Sequence, residues 1–430
     1  MTLILRGLVA HTPQNPFRDV ESLQAWSDGG LAVEGSRIVA VGNFTDLAGQ
    51  FPGARVQDCR DGILLPGLVD THVHYPQTQV IGAMGYTLLD WLEKRTLPLE
   101  AQLSDNKLAR CRAREFVRLL LRNGTTTALV FGSHFQAATA SLFGAAEDLR
   151  LRIVAGQVCS DRMLRPELHT TPQQSYAEQK MLIRRFHRRS KLRYAVTPRF
   201  ALSCSEAILE VCQALLAEYP DLHFTTHINE NPDEIQTVAR QFSWSHDYLD
   251  VYGKFDLVTD RSVFAHNVHP TEPELARLAG ARAAVAHCPS SNAFIGSGIF
   301  PMKRHLRHGV RFGLGSDVGG GTGFCLLKEG LAAYMAQRYA QDGVNLTPAH
   351  LLYLATQAGA NILGFGQEIG SFTPGKTADV LWIKPEAGST LEVHFRQLDS
   401  VDQLMGSLFT LHGEASVAKV WLDGQEAPLD

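Results

Sequence analysis

Pro66-Gly67-Leu68-Val69-Asp70-Thr71-His72-Val73-His74 is a short apolar run that ends in two histidines one residue apart. In extended chain, residues i and i+2 face the same way, so His72 and His74 present their imidazoles together where a strand leaves the core. Two aligned imidazoles make half of a metal site. Three later segments repeat the form. His223-Phe224-Thr225-Thr226-His227-Ile228-Asn229-Glu230 closes on a histidine and a carboxylate, and Ser262-Val263-Phe264-Ala265-His266-Asn267-Val268-His269 closes on histidines. Val310-Arg311-Phe312-Gly313-Leu314-Gly315-Ser316-Asp317 closes on an aspartate followed by glycines 319 to 321. Nitrogen and carboxylate oxygen donors without a cysteine cluster suit zinc ahead of iron or manganese.

Around these segments, from Leu64 to about Gly364, short β-rich runs alternate with longer helical patterns. The candidate strands are 63–70, 126–132, 152–159, 193–199, 222–228, 262–267, 283–287 and 311–315. Eight β-then-α units predict a closed parallel barrel of the TIM type. Between them, Lys107 to Leu121 and Ser205 to Tyr219 carry apolar residues at helical spacing, with Ser205 as an N-cap.

The chain ends differ from the middle. Residues 1–62 alternate like strands between turn signals at Asp28-Gly29-Gly30, Glu34-Gly35 and Pro52-Gly53, and residues 370–430 resume the alternation. Neither piece has the apolar surface for a core of its own. Both are therefore expected to join in one small β-domain, residues 1–65 plus 366–430, beside a catalytic barrel of residues 66–365.

The 430 residues carry a formal net charge of −4, which argues against a general nucleic-acid binder. The basic run Arg184, Arg185, Arg188, Arg189, Lys191 and Arg193 reads as a solvated helix face before a strand. Seven scattered cysteines with no C-x-x-C pair read as free thiols in a reducing compartment. No signal-peptide pattern opens the chain and no uncharged stretch reaches about 18 residues, so a cytoplasmic enzyme without a membrane span is expected.

Functional groups of such barrels gather at the C-terminal ends of the strands. His72 and His74 follow the first candidate strand, His227 the fifth, His266 the sixth and Asp317 the eighth. Glu230 lies three residues beyond His227, where a carboxylate can take a proton from an activated water and pass it to a substrate.

The set His72-Val73-His74, His227, His266 and Asp317, flanked by β-segments at both termini, resembles the amidohydrolase superfamily over essentially the whole chain. The resemblance implies a distorted (β/α)8 barrel with a small β-sandwich. Some members bridge two metals with a carboxylated lysine at the end of strand 4. Here that strand ends Thr197-Pro198-Arg199-Phe200, with Lys191 at its start. The resemblance therefore implies one metal, zinc ahead of iron, held by His72, His74, His227 and Asp317.

Within the superfamily, Asp70 to Gln77, Asn123-Gly124-Thr125-Thr126-Thr127-Ala128, Thr197 to Ala201, and Gly298 before Phe300 resemble the guanine deaminases. That likeness implies hydrolysis of guanine to xanthine and ammonia by a cytoplasmic homodimer serving purine breakdown and salvage. It implies that Gln77 and Arg199 hold the purine by its polar edge, that Phe200 lines or stacks on the ring, and that His74 and His227 border the substrate. Glu230 becomes the proton shuttle, and His266 with Asp317 polarises water or substrate. The residue types agree: glutamine offers a donor and an acceptor, arginine a rigid donor fork, and phenylalanine an apolar face.

Trp91 and Leu92 suit either a pocket cap or a packed helix. His134, His287 and Cys288 fall at the functional face without a role, and His269 is a candidate to support the site from outside the ligand set. Asn229 and Asn267 stand where many relatives carry serine or cysteine, which bears on pocket polarity and not on the metal. Alternative substrates are a pterin, an adenosine thioether nucleoside or a chlorinated triazine. The other zinc deaminase design, with H-x-E and P-C-x-x-C, lacks its cysteine pair here. A non-catalytic scaffold would show a broken ligand set, and this set is complete.

Overall fold

Apolar runs rich in valine, alanine and threonine, buried on both faces, are what a parallel sheet covered by helices requires. The computed structural model describes residues 1–19, 21–397 and 400–429, and in it eight such runs form one sheet. They are Leu68–His74, Thr125–Phe131, Arg152–Gly156, Leu192–Pro198, His223–Ile228, Ser262–His266, Ala284–His287 and Arg311–Leu314. Neighbours pair in parallel in chain order, and helices connect them. The expected helices are present. Asn106–Arg122 is capped by Asp105, and Glu206–Glu218 by Ser205, whose hydroxyl accepts from the Ile208 amide at 3.3 Å.

The eighth and first strands meet without ladder pairing, and side chains with one main-chain bond join them instead. Thr71 Oγ1 donates to the Leu314 carbonyl at 2.8 Å, and the Asp317 amide donates to the His72 carbonyl at 2.9 Å. The buried Asp70 carboxylate accepts from the amides of Ser316, at 3.0 Å, and His72, at 3.1 Å, and from the Ser316 hydroxyl. The approach is close enough to need Gly315, where a Cβ would lie 2.9 Å from His72 Cβ.

Two strand expectations are corrected. The run 63–70 spans two elements: Arg55–Pro66 belongs to the terminal sheet, and the barrel strand begins at Leu68. Ile63 to Pro66 pairs antiparallel with Val380–Ile383, while Leu68 pairs with Thr125. An apolar run does not reveal where the chain changes sheets. His72 and His74 therefore lie inside the first strand. The run 152–159 likewise divides into Arg152–Gly156 and Val158–Cys159, both paired to Leu192–Pro198.

Both chain ends share a separate seven-stranded sheet, in the order Gln425–Glu426, Val417–Leu422, Val380–Ile383, Arg55–Pro66, Thr2–His11, Gln24–Glu34, Arg37–Asn43. Leu5, Val9, Leu31, Leu64, Phe372, Val380 and Trp421 pack on one side of it. The strand-like reading of 370–430 fails in its middle, where Thr390–Gln397 and Val401–Leu411 are helices. Leu404, Met405, Leu408 and Phe409 are the buried residues of the second, a helical spacing.

Between the first two barrel strands, the chain makes a helical excursion from Tyr75 to Ser104, built from short turns. Leu88, Trp91, Leu92, Leu97 and Leu103 anchor it in the core. Among the described residues no helix is long and apolar enough to cross a membrane. The seven cysteines are free.

Replacing Asp70 by alanine strands two buried amides, at about 1–3 kcal/mol each. Asp70→Ala is expected to lower Tm by at least about 2 °C in a thermal melt. An unchanged Tm would mean that the seam is held by other contacts.

Candidate active site

Alternation along the first strand carries His72 and His74 to the barrel interior, and the fifth strand brings His227 to the same point. Nε2 of His74 lies 3.2 Å from Nε2 of His72 and 3.2 Å from Nε2 of His227. Asp317 Oδ1 lies 3.2 Å from Nε2 of both His72 and His74. For zinc bonds of about 2.0–2.1 Å, the edge of a ligand tetrahedron is about 3.3–3.4 Å, so these spacings fit one metal ion. Burial lowers the pKa of all three histidines, that of His74 to about 4, and leaves them as the neutral imidazoles that bind metal. Burial opposes the charge on Asp317, but hydrogen bonding to His72 and His74 outweighs it and holds this carboxyl low. His227 Nδ1 is fixed by the Arg199 carbonyl at 2.5 Å.

A second grouping, His72, His266 and Cys288, is less suited to a metal. Burial raises the Cys288 thiol, which donates to the Ala286 carbonyl at 3.6 Å, whereas a metal takes the thiolate.

Glu230 leaves the fifth strand just before the helix Pro232–Gln241, and its amide donates to Glu234 Oε2 at 3.1 Å. His266 Nε2 stands between two carboxylates, 3.7 Å from Glu230 Oε2 and 3.8 Å from Asp317 Oδ2. Its Nδ1 pairs with Asn292 Oδ1 at 2.9 Å. Burial, then the nearby Asp317 charge, pushes Glu230 up to about 8, so it holds a proton near neutral pH. Ser297 donates to Glu230 Oε1 at 3.4 Å, and the Ser297 carbonyl pairs with His269 at 2.7 Å. His269 thus reaches Glu230 through Ser297 and makes no contact of this kind with His266.

The rim is bent. Asn229, His266, Asn267 and Asp317 all have φ between 45° and 70°, a region that costs side-chain-bearing residues about 1–3 kcal/mol. Asparagine tolerates it best, which accounts for Asn229 and Asn267. Their side chains bond each other at 3.1 Å and reach Glu274 and His305, so they serve the rim and not the cavity.

Opposite the metal donors lies a group that the linear sequence does not announce. Glu100, from the excursion, accepts from Arg199 Nη1 on both oxygens, at 2.9 and 2.8 Å, and from Gln77 Nε2 at 2.8 Å. His134 Nδ1 is 3.3 Å from Glu100 Oε2, and its Nε2 pairs with Ser160 at 3.0 Å. Burial penalises the Glu100 charge, yet Arg199 and then His134 overcome it and hold the carboxyl below its ordinary range. Nothing near Glu100 in sequence marks it, since its partner lies 99 residues away.

These groups line a tight cavity formed by His74, Gln77, Arg199, His227, Glu230, His266 and Asp317, with Leu88, Trp91, Leu92, Phe200 and Ile295 as apolar walls. Trp91 and Leu92 are at once buried and pocket walls. His72 lies beneath the cavity, fully buried. His287 stacks on Phe300 at 4.3 Å in the core, away from these groups.

The chain belongs to the amidohydrolase family, whose model matches residues 63–427. Residues 29–54 also match an imidazolonepropionase-like composite domain of bacteria. A probable guanine deaminase of Deinococcus radiodurans is 54% identical, over 98% of this chain and 97% of that protein. A guanine deaminase of Escherichia coli is 38% identical over 97% and 95%. The crystal structure of guanine deaminase from C. acetobutylicum with bound guanine in the active site superposes with a TM-score of 0.91 at 26% identity, covering all of both chains.

The raised Glu230 pKa has a signed consequence. The folded state keeps a proton on this group between about pH 4.5 and 8 that the unfolded chain releases, so stability falls as pH rises through that window. In metal-free protein, Glu230→Gln should melt like the parent at pH 4.5 and increasingly above it toward pH 8.5. A difference that stays flat with pH would show that Glu230 ionises normally.

Proposed function

We propose that the protein hydrolyses the exocyclic amine of guanine, consuming one water and releasing xanthine and ammonia, with one zinc ion held by His72, His74, His227 and Asp317. One observation carries the reading. A single small cavity joins a four-donor metal set, a buried carboxyl that holds a proton near neutral pH, and a paired donor and acceptor suited to a ring edge. The guanine deaminase relatives, one of them with guanine bound, support the choice of substrate.

The flat base fits between the apolar walls, with Phe200 lining its face and its polar edge on Arg199 and Gln77. Arg199 donates to the ring carbonyl, and Gln77 Oε1 accepts from an N–H. When bound, the metal would lower the pKa of water to about 7 and so supply a nucleophile at neutral pH. Asp317 Oδ2 and His266 Nε2 hold the attacking water beneath C2. Glu230 delivers a proton to the neighbouring ring nitrogen as C2 is attacked, takes one from the added water and passes it to the departing amine, then recovers its own from the oxygen that becomes the C2 carbonyl. His74 and His227 border the reacting carbon.

We also take residues 66–365 as the catalytic unit, supported by residues 1–65 and 366–430. A cytoplasmic homodimer acting in purine breakdown follows from the guanine deaminase likeness, and seven free cysteines suit a reducing compartment.

Incubation with guanine, followed by ultraviolet absorbance, should show conversion to xanthine that a chelator abolishes and zinc restores. Metal-loaded protein that leaves guanine unchanged would move the substrate to another amino-substituted ring. His72→Ala should lose its metal by elemental analysis. Glu230→Gln should keep the metal and lose about 10²–10⁴-fold in kcat. Near-normal turnover by Glu230→Gln would remove it as the proton carrier.

A further inference from the structure

Glu100 touches neither the metal donors nor Glu230, yet it is 2% exposed and holds both groups assigned to the ring edge. An ionised carboxylate only accepts hydrogen bonds. A glutamine amide facing it must therefore present Nε2, which turns Oε1 the other way. Gln77 Oε1 is buried, lies on a residue that lines the cavity, and has no protein partner, a condition that costs stability until a ligand donates to it. Arg199 spends Nη1 on both oxygens of Glu100, and its other N–H groups have no side-chain partner among the described residues. His134 Nδ1 also approaches the carboxylate, at 3.3 Å, with its ring fixed by Ser160.

We propose that Glu100 is a positioning residue that sets which ring edge the pocket reads. By accepting from Gln77 Nε2 and Arg199 Nη1, it turns an acceptor and adjacent donors into the cavity and so selects a lactam edge, N–H beside C=O. The inference rests on the purine reading above and adds the origin of its selectivity. A ring with an amino group in place of that carbonyl, and a bare nitrogen in place of that N–H, meets donor against donor and acceptor against acceptor. The backbone of Arg199 extends the effect. Its carbonyl binds His227 Nδ1, so the edge-reading group and a metal donor share one anchor and the edge is read in register with the reacting carbon.

Hypoxanthine and adenine test this without turnover at C2, because both lack the amino group there and differ only along this edge. They are measured as competitive inhibitors of guanine hydrolysis by the metal-loaded protein. The parent should bind hypoxanthine about 10²-fold or more tightly than adenine. Glu100→Gln supplies an amide that lets Gln77 turn over, and should bring the two inhibitors within about threefold at unchanged metal content. Glu100→Asp keeps an acceptor-only group and should retain at least about a tenfold preference.

Equal weakening of both inhibitors in Glu100→Gln, with the ratio preserved, would overturn the positioning role and leave a structural one. Should that variant fail to fold, Gln77→Met leaves the buried ion pair intact and must shrink the same ratio. An unchanged ratio there overturns the proposal as well. A parent protein that carries metal but neither hydrolyses guanine nor binds hypoxanthine would overturn the purine reading itself, an outcome distinct from a failure at Glu100.

Discussion

The Asp70 carboxylate closes the barrel. Seven neighbouring strand pairs are held by backbone ladders, but the eighth and first strands are not. A buried side chain reaches across the gap instead, accepting from the Ser316 amide and hydroxyl there and from the His72 amide of its own strand, beside the Thr71–Leu314 and Asp317–His72 bonds. Asp317 lies beyond the end of the eighth strand, bonds the His72 carbonyl through its amide, adopts a φ of 45°, and brings its carboxylate to His72 and His74. A ladder continued through that position would have turned it elsewhere. The metal donors thus depend on an irregular closure.

Two half-sites then face each other across one cavity. The barrel strands and the turns after them supply the candidate metal donors, Glu230 and His266, held at separations of a few ångströms. The excursion and the end of the fourth strand supply Gln77, Glu100 and Arg199, a buried charge network. Such networks add little to stability, since burying the charges offsets most of their attraction, but they hold a geometry that neutral contacts would leave loose. The strained backbone at Asn229, His266, Asn267 and Asp317 points the same way.

Much of the strand-borne half was legible in the sequence. A strand repeats every two residues, so His72 and His74 announce their common face, and the apolar runs before His227, His266 and Asp317 announce theirs. The switch of sheets at Pro66-Gly67 was hidden because both sheets ask for the same apolar residues, and only the partner strand Val380–Ile383 reveals it. The helix Val401–Leu411 was legible in principle from the spacing of Leu404, Met405, Leu408 and Phe409, but the alternating segments on either side obscured it. Glu100 was not legible. A glutamate in a leucine-rich helical segment reads as an exposed residue, and its meaning comes only from Arg199, which the fold brings to it.

The excursion between the first two strands has a consequence for how such a protein can change over generations. It carries no metal donor and no part of the barrel seam, yet it holds two of the three polar groups assigned to recognition, Gln77 and Glu100, along with Leu88, Trp91 and Leu92 of the cavity wall. On the reading proposed above, substitutions there would alter which ring is accepted without touching His72, His74, His227 or Asp317. The barrel carries the grouped histidines and Asp317, and the excursion carries cavity wall without them.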